Sequence, residues 1–343
     1  MFITDFDFDL PDKLIAQEPL LNRDDSRMLV VRRGTKAFND KQFVDLPQFL
    51  KSSDVIVLNN TKVFPARLLG KSETGAGIEL FLIEEIKNGI WSALARPGRR
   101  LMPGKTIIFD DLLTAEVLEK TSDGKIVVRC ETEGNFDEIV QRIGQTPLPP
   151  YIKRDLPRND SDRDRYQTIY ASRRGAIAAP TAGLHFTPKV LDAVKNVGST
   201  VSEITLHVGY GTFEPVRVND LAEHKVSPER YEISEETAQI LNKARSDGNR
   251  IIAVGTTTTR TLETAMAKHG KFVAEKSSAS LTITPGFRFR VTEAMLTNFH
   301  LPQSSLLVLV STFAGHQLIM DAYRHAIFSS YRFYSYGDCM LIV

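Results

Sequence analysis

With 343 residues, 42% of them hydrophobic, the chain is long enough to bury a substantial core, and its length is typical of roughly two domains. The 43 Lys and Arg balance the 42 Asp and Glu, so net charge provides no steering toward nucleic acid or membrane, and an anionic partner must meet a local basic patch. Two cysteines exclude a disulfide framework and a cysteine-rich zinc site. Because the chain also lacks a signal-peptide pattern and a membrane-spanning apolar run, we expect a cytoplasmic protein with no membrane partner.

The first half of the chain predicts a small antiparallel β-barrel. From Arg67 to about Glu131, five short segments alternate between apolar and polar residues: IELFLIEEI, IWSALARP, KTIIF, LTAEVLEKT and KIVVRCE. Asn88-Gly89 and Asp123-Gly124 between them are typical hairpin turns. A short helix near residues 136–143 follows, and then a connecting segment rich in Pro and charge, PLPPYIKRDLPRNDSDRDRYQ.

The second half alternates strands and helices. Thr187 and Pro188 start a helix that Gly198 ends, and Ser234 starts another that ends before Gly248. Between these helices the segments VSEITLHV, RIIAVG and SLTITP read as strands, whereas LLVLVSTF fits either a strand or a helix. This alternation predicts a layered α/β domain around a largely buried sheet.

The barrel is predicted to be an insertion. The apolar strand DVIVL at residues 54–58 and the N-terminal segment resemble the second half rather than the barrel. We therefore expect one discontinuous three-layer α/β domain, residues 1–60 and 150–343, with the barrel inserted at residues 61–149.

Two motif-like segments lack the features of the sites that they resemble. GRRLMPGKT at 98–106 has five residues between its outer glycines where a Walker A loop has four, and it lies between two strands. DSDRDR at 160–165 has Arg165 where a calcium loop needs glycine. No HExxH, CxxC or GxGxxG motif is present, so we expect no bound metal and no Rossmann dinucleotide site.

Four polar loops in the second half carry the candidate chemistry. In APTAGLHF (179–186), Thr181, the Gly183 backbone and His185 precede the helix at Pro188, where free amides and the helix dipole favour a carboxylate. A tight turn with a capping Thr and a structural histidine is the alternative for this loop taken alone.

The second loop, TLHVGYGTFEPV (205–216), places His207 near a strand end and Tyr210 between two glycines, which permit close approach of backbone to ligand. Thr212 and Glu214 follow. The alternative is a β-bulge or hairpin with Tyr210 packed on the surface.

The third loop, VGTTTTRTLE (254–263), is a buried strand that enters a helix, with four threonines where dinucleotide-binding folds place glycines. Threonine hydroxyls suit caps and ligand contacts, and Thr257 is our candidate among them. Arg260 and Glu263 either serve the site or form an ordinary surface pair on one helical face.

The fourth loop, TNFHLP (297–302), offers Asn298 and His300, or else an Asn-initiated turn closed by Pro302. Four such loops, each at an expected strand end of one α/β half, are more economically explained as one active site than as four unrelated turns.

These loops and six further segments resemble one family along almost the whole chain. The further segments are LIAQEPLLNRDDSRMLVV (14–31), LNNTKVFPARLLG (58–70), WSALARPGRRL (91–101), PLPPYIKR (147–154), DRYQTIYA (164–171) and YRFYSYGDCMLI (331–342). The sequence is thereby identified as a member of the S-adenosylmethionine:tRNA ribosyltransferase-isomerase family of queuosine biosynthesis. The family fold, an α/β domain with an inserted β-barrel, agrees with the division above.

The resemblance implies an enzyme that uses S-adenosylmethionine as a co-substrate. The ribosyl group would be transferred to 7-aminomethyl-7-deazaguanine (preQ1) at the wobble position of tRNA with a GUN anticodon. Its isomerisation would give epoxyqueuosine, with release of adenine and methionine. Because a sulfonium acidifies the C5′ protons, a base can start ring opening, and the neutral aminomethyl nitrogen then attacks.

Histidine suits this proton transfer because its unperturbed pKa is near 6.5. On this basis His185 or His207 is the candidate base, with Glu214 or His300 as alternatives. Arg260 or the amides from Thr181 to Gly183 are candidates for the methionine carboxylate, and Tyr210 or Phe213 for stacking on adenine. The predicted S-adenosylmethionine contacts are Thr181, Gly183, Tyr210, Thr212, Phe213, Thr257, Arg260 and Asn298.

One segment departs from the family, which commonly shows His-x-Met-His-x-Glu. This sequence has His224-Lys225-Val226-Ser227-Pro228-Glu229, so the second histidine is replaced by Ser227 and cannot be an obligatory base here. His224 and Glu229 stay eligible.

Transfer RNA requires a clustered basic surface rather than a high total charge. The candidates lie in the barrel hairpin, near the domain junction and in the connecting segment: Arg96, Arg99, Arg100, Lys62, Arg67, Lys153, Arg154, Arg163 and Arg165. We expect a monomer that reads a splayed anticodon loop.

A non-catalytic RNA-binding protein and a methyltransferase are the rival interpretations; binding of S-adenosylmethionine tests the first and adenine among the products tests the second.

Overall fold

The structure is a computed structural model that describes residues 1–99, 101–154, 160–209, 211, 216 and 218–343. A nine-stranded mixed sheet and a closed six-stranded barrel account for most of its strands. The strands are β1 (Arg27–Arg32), β2 (Ala37–Gln42), β3 (Val55–Asn59), β4 (Thr61–Val63), β5 (Arg67–Ser72), β6 (Gly77–Lys87), β7 (Ile90–Arg96), β8 (Thr106–Phe109), β9 (Leu113–Lys120), β10 (Ile126–Thr132), β11 (Arg173–Ala176), β12 (Thr200–Leu206), β13 (Glu229–Ile233), β14 (Ile251–Val254), β15 (Glu275–Ala279), β16 (Ala294–Asn298) and β17 (Cys339–Ile342).

The described α-helices are α1 (Phe136–Ile143), α2 (Asp160–Arg165), α3 (Pro188–Asn196), α4 (Glu235–Ser246), α5 (Thr256–His269), α6 (Ser305–Ala314) and α7 (His316–Phe328). Short 3-10 helices occupy Ile3–Phe6, Asp12–Leu14, Arg23–Asp25, Phe43–Phe49 and Thr181–His185. The predicted caps are confirmed, because the Thr187 and Ser234 hydroxyls accept hydrogen bonds from the first turns of α3 and α4. The ambiguous run LLVLVSTF is α6, capped by Ser304.

The large sheet has the strand order β15-β13-β12-β3-β14-β16-β17-β1-β2. Its centre is parallel, since β12 and β14 both pair in parallel with β3, and β14 pairs in parallel with β16. The strand predicted at residues 54–58 is β3, at the middle of this sheet, as the resemblance of that segment to the second half required.

The sheet separates two helical layers. Val55 and Val57 face a core that contains α4 and α5, whereas Ile56 and Leu58 face the core beneath α3. Helices α6 and α7 cover the β16, β17 and β1 side of the sheet. This alternation explains why β3 and β14 read as apolar runs: both of their faces are buried.

The barrel closes in the order β10-β7-β6-β5-β8-β9. The five barrel strands expected from the sequence are present, and Arg67–Ser72 is a sixth that the pattern did not reveal. The predicted fold class, an α/β domain with an inserted antiparallel barrel, is confirmed. The chain enters the barrel after β3 and returns to the sheet at β12; the boundaries at residues 60 and 150 stay a prediction.

One predicted strand is wrong. SLTITP (280–285) is not a strand, and β15 lies immediately before it. The ladder between β15 and β13 ends where Ala279 pairs with Glu229, the first residue of β13, so the next residues of the segment have no strand to pair with.

Within the part of the chain that the structure describes, no single helix has the length and apolarity to cross a membrane. Only α6 and α7 taken together, with a bend of 115° between them, meet that criterion. Most of their apolar side chains are buried in the core.

Candidate active site

Three parallel strands end at one edge of the sheet and deliver the polar loops there. His207 follows β12, Gly255 and Thr256 follow β14, and His300 follows β16. Open α/β sheets bind ligands at the carboxyl ends of their strands. The barrel is inserted after β3, at this same edge, so it faces the candidate site.

Two neighbouring cavities occupy this edge. The first, of about 390 Å³, is polar. The polar residues on its wall are Glu84, Lys125, His207, Ser227, Glu229, Arg230, Thr256, Thr257, Arg260 and Ser305. The second, of about 380 Å³, is mainly apolar and aromatic. Val208, Thr256, Thr257 and Leu306 line both cavities, which therefore adjoin.

Arg260 is the buried cation of the first cavity. Its guanidinium forms an ion pair with Glu229, whose Oε1 also accepts a 2.8 Å hydrogen bond from the Gly209 N–H. Burial lowers the pKa of Arg260 to about 10. Its buried Nε has no hydrogen-bond partner among the residues that the structure describes. A guanidinium on a cavity wall with a spare N–H is suited to a carboxylate.

Of the two alternatives for Arg260 and Glu263, the ordinary surface pair is wrong. Glu263 is fully buried, and its carboxylate accepts hydrogen bonds from the backbone N–H groups of Arg290, Val291 and Thr292. Glu263 thus anchors the segment before β16 instead of serving the site.

The threonine run divides between helix and cavity. The hydroxyls of Thr258 and Thr259 donate to the carbonyls of Val254 and Gly255, four residues earlier, so they belong to the helix itself. Thr256 and the predicted Thr257 line both cavities.

His207 lies half-buried on the wall of the first cavity. Its Nδ1 is 2.8 Å from the Thr61 hydroxyl, which is also 3.4 Å from the Arg173 carbonyl. Burial, and secondarily the charge of Arg230, lower the pKa of His207 to about 4. A Cβ on Gly175 would lie 2.7 Å from the imidazole ring, so only glycine allows this backbone to pass the ring.

His185 is held in a buried hydrogen-bond network beside the second cavity. Asn298 Nδ2 points at the Tyr334 and Asp338 carbonyls, which identifies it as a donor, and it lies 3.2 Å from His185 Nε2. His185 Nδ1 then donates to Ser26 Oγ at 2.9 Å. Burial lowers the pKa of His185 to about 3, so the ring is neutral with both nitrogens engaged.

The second cavity collects four of the predicted residues. Thr181, Thr257, Asn298 and His300 all line it, and the Thr181 hydroxyl donates to Asn298 Oδ1 at 2.9 Å. His300 Nε2 is 2.8 Å from the Thr297 hydroxyl, and burial lowers the pKa of His300 to about 3.

The Gly183 amide is not free, contrary to the expectation for this loop. Its N–H donates to the Pro180 carbonyl at 2.8 Å within the 3-10 helix Thr181–His185. A Cβ at Gly183 would lie 2.0 Å from the Tyr170 hydroxyl oxygen, so glycine is needed here for packing.

Comparison with known proteins assigns the family. A family model described as "Queuosine biosynthesis protein" matches residues 3–342. The chain belongs to this queuosine biosynthesis family. It is 47% identical to the S-adenosylmethionine:tRNA ribosyltransferase-isomerase of Natranaerobius thermophilus, over 100% of this chain and 99% of that one. The protein of the same name from Pelotomaculum thermopropionicum is also 47% identical, with both chains fully covered.

A solved structure within the queuosine biosynthesis family has the same fold. It is the crystal structure of S-adenosylmethionine tRNA ribosyltransferase from Thermotoga maritima. The TM-score is 0.56 at 36% identity, and the match covers 99% of this chain and 100% of that chain.

Several residues predicted from the family motifs lie outside the described residues. They are Arg100, Tyr210, Thr212, Phe213 and Glu214. Their assignments to tRNA, to S-adenosylmethionine and to proton transfer stay predictions.

The basic residues assigned to tRNA fall into two groups. Arg67, Arg154 and Arg165 are held by internal contacts: to Glu79 at 2.8 Å, to Asp162 at 2.7 Å and to the carbonyls of residues 20 and 21. The others that the structure describes are exposed: Lys62, Arg96, Arg99, Lys153 and Arg163.

Sequence reasoning missed the aromatic wall of the second cavity. Tyr151 and Tyr334 stack with ring centroids 4.4 Å apart, and Tyr166 and Phe299 line the same space. Both stacked tyrosines lie in motifs that identify the queuosine biosynthesis family, PLPPYIKR and YRFYSYGDCMLI, which was the available signal. Among the described residues, no group of three or more His, Cys, Asp or Glu could hold a metal ion.

Proposed function

We propose that this protein is an S-adenosylmethionine:tRNA ribosyltransferase-isomerase that acts on preQ1 at the wobble position of tRNA with a GUN anticodon. The product is epoxyqueuosine, with adenine and methionine released. Family membership and the names of relatives that align over the full chain support this activity. S-adenosylmethionine is a co-substrate in this reaction, and we expect no metal and a monomeric enzyme.

The observation that carries the proposal is the buried Arg260 on the wall of the polar cavity, with its Nε unpartnered among the described residues. The methionine carboxylate of S-adenosylmethionine fits this guanidinium. Glu229 holds Arg260 in place and competes with the incoming carboxylate. The polar cavity therefore receives the amino-acid end of the co-substrate.

The adjoining apolar cavity fits adenine. Tyr151 and Tyr334 provide aromatic surface, and Thr181 and Asn298 provide polar groups at its wall. The ribose and sulfonium then span the shared wall at Thr256 and Thr257. In this placement the C5′ carbon lies on the side of the ribose that faces the polar cavity and His207.

His207 is the base that this geometry favours. The Thr61 hydroxyl donates toward the Arg173 carbonyl and accepts from His207 Nδ1–H, which leaves the Nε2 lone pair for the C5′ proton. A pKa of about 4 keeps the ring neutral at physiological pH. His185 and His300 are deeper, and each has a hydrogen-bonded ring nitrogen in the core, so they hold the cavity in shape.

The test combines S-adenosylmethionine with tRNA that carries preQ1, followed by nucleoside mass analysis and measurement of free adenine. We expect epoxyqueuosine and adenine in equal amounts. Methylated tRNA without adenine would instead support a methyltransferase, and absence of S-adenosylmethionine binding would support a non-catalytic RNA-binding protein. In the Arg260→Met variant, the affinity for S-adenosylmethionine should fall about tenfold or more, as expected for a lost charge-assisted hydrogen bond.

A further inference from the structure

A third and larger cavity, of about 800 Å³, lies between the barrel and the sheet. The barrel side contributes Phe64, Glu84 and Trp91, and the sheet side contributes Arg230. Nothing in the placement of S-adenosylmethionine uses this interdomain cleft. Its volume is in the range of pockets that enclose a small molecule or a single base.

The interdomain cleft shares a wall with the polar cavity. Gly175, His207, Glu84 and Arg230 line both spaces. The Gly175 backbone packs against the His207 ring so closely that a Cβ would lie 2.7 Å away. The partition between the two spaces is thus a single layer, and His207 is accessible from each side.

Arg174 gives the cleft a platform for a planar ring. Its guanidinium lies 5.1 Å over the Phe64 ring centroid, and its ion pair with Asp137 of α1 fixes its direction. Arg174 Nη2 is buried without a hydrogen-bond partner among the described residues. Extruded nucleobases stack on arginine guanidinium planes, so the face of Arg174 away from Phe64 fits a base.

Glu84 supplies a carboxylate whose present ion pair is easily broken. It pairs with Arg230 across the cleft at 3.4 Å, and both side chains are about half exposed, 51% and 54%. Exposed pairs of this kind contribute only about 0–1 kcal/mol, so the contact opens at little cost. A ligand ammonium that enters the cleft can replace Arg230 as the partner of Glu84.

We propose that this interdomain cleft binds the extruded aminomethyl-deazaguanine base of tRNA, with Arg174 stacked on the ring and Glu84 paired with the aminomethyl nitrogen. The proposal rests on the proposed function and assigns the substrate base to one side of His207 and S-adenosylmethionine to the other. The aminomethyl nitrogen is bound as an ammonium and transfers one proton to the Glu84 carboxylate before it attacks. Arg96 lies at the opposite end of β7 from Trp91, roughly 17 Å away at the rise of a β-strand, so the hairpin arginines contact another part of the tRNA.

Trp91 is the single tryptophan of the chain and lines this cleft, so its fluorescence reports on occupancy. Free 7-aminomethyl-7-deazaguanine should change the emission saturably, and guanine should do so only at about tenfold higher concentration, because the charge-assisted contact to Glu84 is lost. In Glu84→Gln the two bases should become equivalent. Equal titrations of both bases in the wild type would overturn the role of Glu84.

Binding to tRNA tests the assignment in the full substrate at fixed salt. Wild-type protein should bind preQ1-containing tRNA about tenfold more tightly than the same tRNA with guanine, and Glu84→Gln should lose this preference. Arg174→Ala should lower the affinity for both tRNAs by about tenfold, the loss expected for one base-stacking contact. Asp321→Asn and Arg324→Ala, which break an exposed pair on α7, a helix with no residue on the wall of the cleft, are the matched controls and should change neither affinity.

Each variant is first checked by far-UV circular dichroism and thermal unfolding, and a cooperative transition with the wild-type spectrum shows that the variant is folded. If the wild-type protein modifies tRNA while Glu84→Gln keeps the preference and Arg174→Ala keeps its affinity, the cleft assignment is overturned and the proposed function stands. If the wild-type protein releases no adenine with either tRNA, the proposed function itself fails.

Discussion

Removal of the Glu229 charge should destabilise the ligand-free protein and increase the rise in Tm that S-adenosylmethionine causes. The side chains of Arg260 and Glu229 are only 12% and 5% exposed. Loss of one partner of a buried pair costs about 3–5 kcal/mol, and we take the low end because Arg260 faces a cavity that water can enter. Glu229→Gln keeps an acceptor for the Gly209 N–H, so the change is mainly one of charge.

The expected thermal shift follows from chain length. At about 2.1 cal/mol/K per residue, cooperative unfolding of 343 residues has an entropy of about 0.7 kcal/mol/K, so a loss of about 3 kcal/mol lowers Tm by about 4 °C. Saturation with S-adenosylmethionine at a hundred times its Kd adds about 2.7 kcal/mol in the wild type. If the carboxylate binds tenfold more tightly once Glu229 is neutral, the variant gains about 1.4 kcal/mol more, or about 2 °C.

Differential scanning fluorimetry with two ligands measures this effect. S-adenosylmethionine should raise the Tm of Glu229→Gln more than that of the wild type, whereas 5′-methylthioadenosine, which has no carboxylate, should raise both equally. Asp54→Asn is the control, because Asp54 forms a buried pair with Arg250, and neither residue lines the polar or the apolar cavity. This variant should be less stable, but S-adenosylmethionine should raise its Tm no more than that of the wild type. A smaller S-adenosylmethionine shift in Glu229→Gln than in the wild type would refute the competition between the two carboxylates.

Further results are expected at four positions. With His207 as the base, kcat/KM for S-adenosylmethionine should fall on acidification with a midpoint near pH 4 rather than 6.5, and His207→Ala should slow adenine release by about a hundredfold or more. Gly175→Ala should lower kcat through displacement of His207 while S-adenosylmethionine affinity changes less, which parallel kinetic and binding measurements would show. Asn298→Ala leaves several buried partners unsatisfied and should cost about 2–3 kcal/mol in urea unfolding. Burial depresses the pKa of His300 in the folded protein to about 3, so the unfolded chain takes up a proton near pH 6.5 that the folded protein does not. The free energy of unfolding therefore falls by about 1.4 kcal/mol for each pH unit below 6.5. His300→Gln lacks this contribution, and its urea midpoint should fall less than that of the wild type between pH 7 and 5.

Local signals in the sequence predicted much of the architecture. The hairpin turns, the caps at Thr187 and Ser234 and the apolar run of β3 are properties of a few consecutive residues, and each appears in the structure as expected. Pairing partners are not local. SLTITP has the composition of a strand but no neighbour to pair with, and β5 alternates too weakly to stand out although the barrel needs it to close.

The candidate site was predictable as a set of loops but not as an arrangement. His185, His207 and His300 look equivalent in sequence, and only the tertiary structure separates the two buried rings beside the apolar cavity from the half-buried ring on the wall of the polar cavity. Arg260 and Glu263 have the spacing of a helical surface pair, yet their true partners come from segments about 30 residues away in either direction, which spacing along one helix cannot reveal.

The position of β17 in the sheet has a consequence for folding during synthesis. It is the last strand in the sequence, yet it lies between β16 and β1, and the Arg27 N–H donates to Asp338 across 311 residues. At about 5–20 residues per second, the ribosome makes β17 roughly 15–60 seconds after β1. Until then the apolar segment MLVV of β1 has a pairing edge with no partner, and a chain truncated before Cys339 is expected to keep that edge exposed and to aggregate.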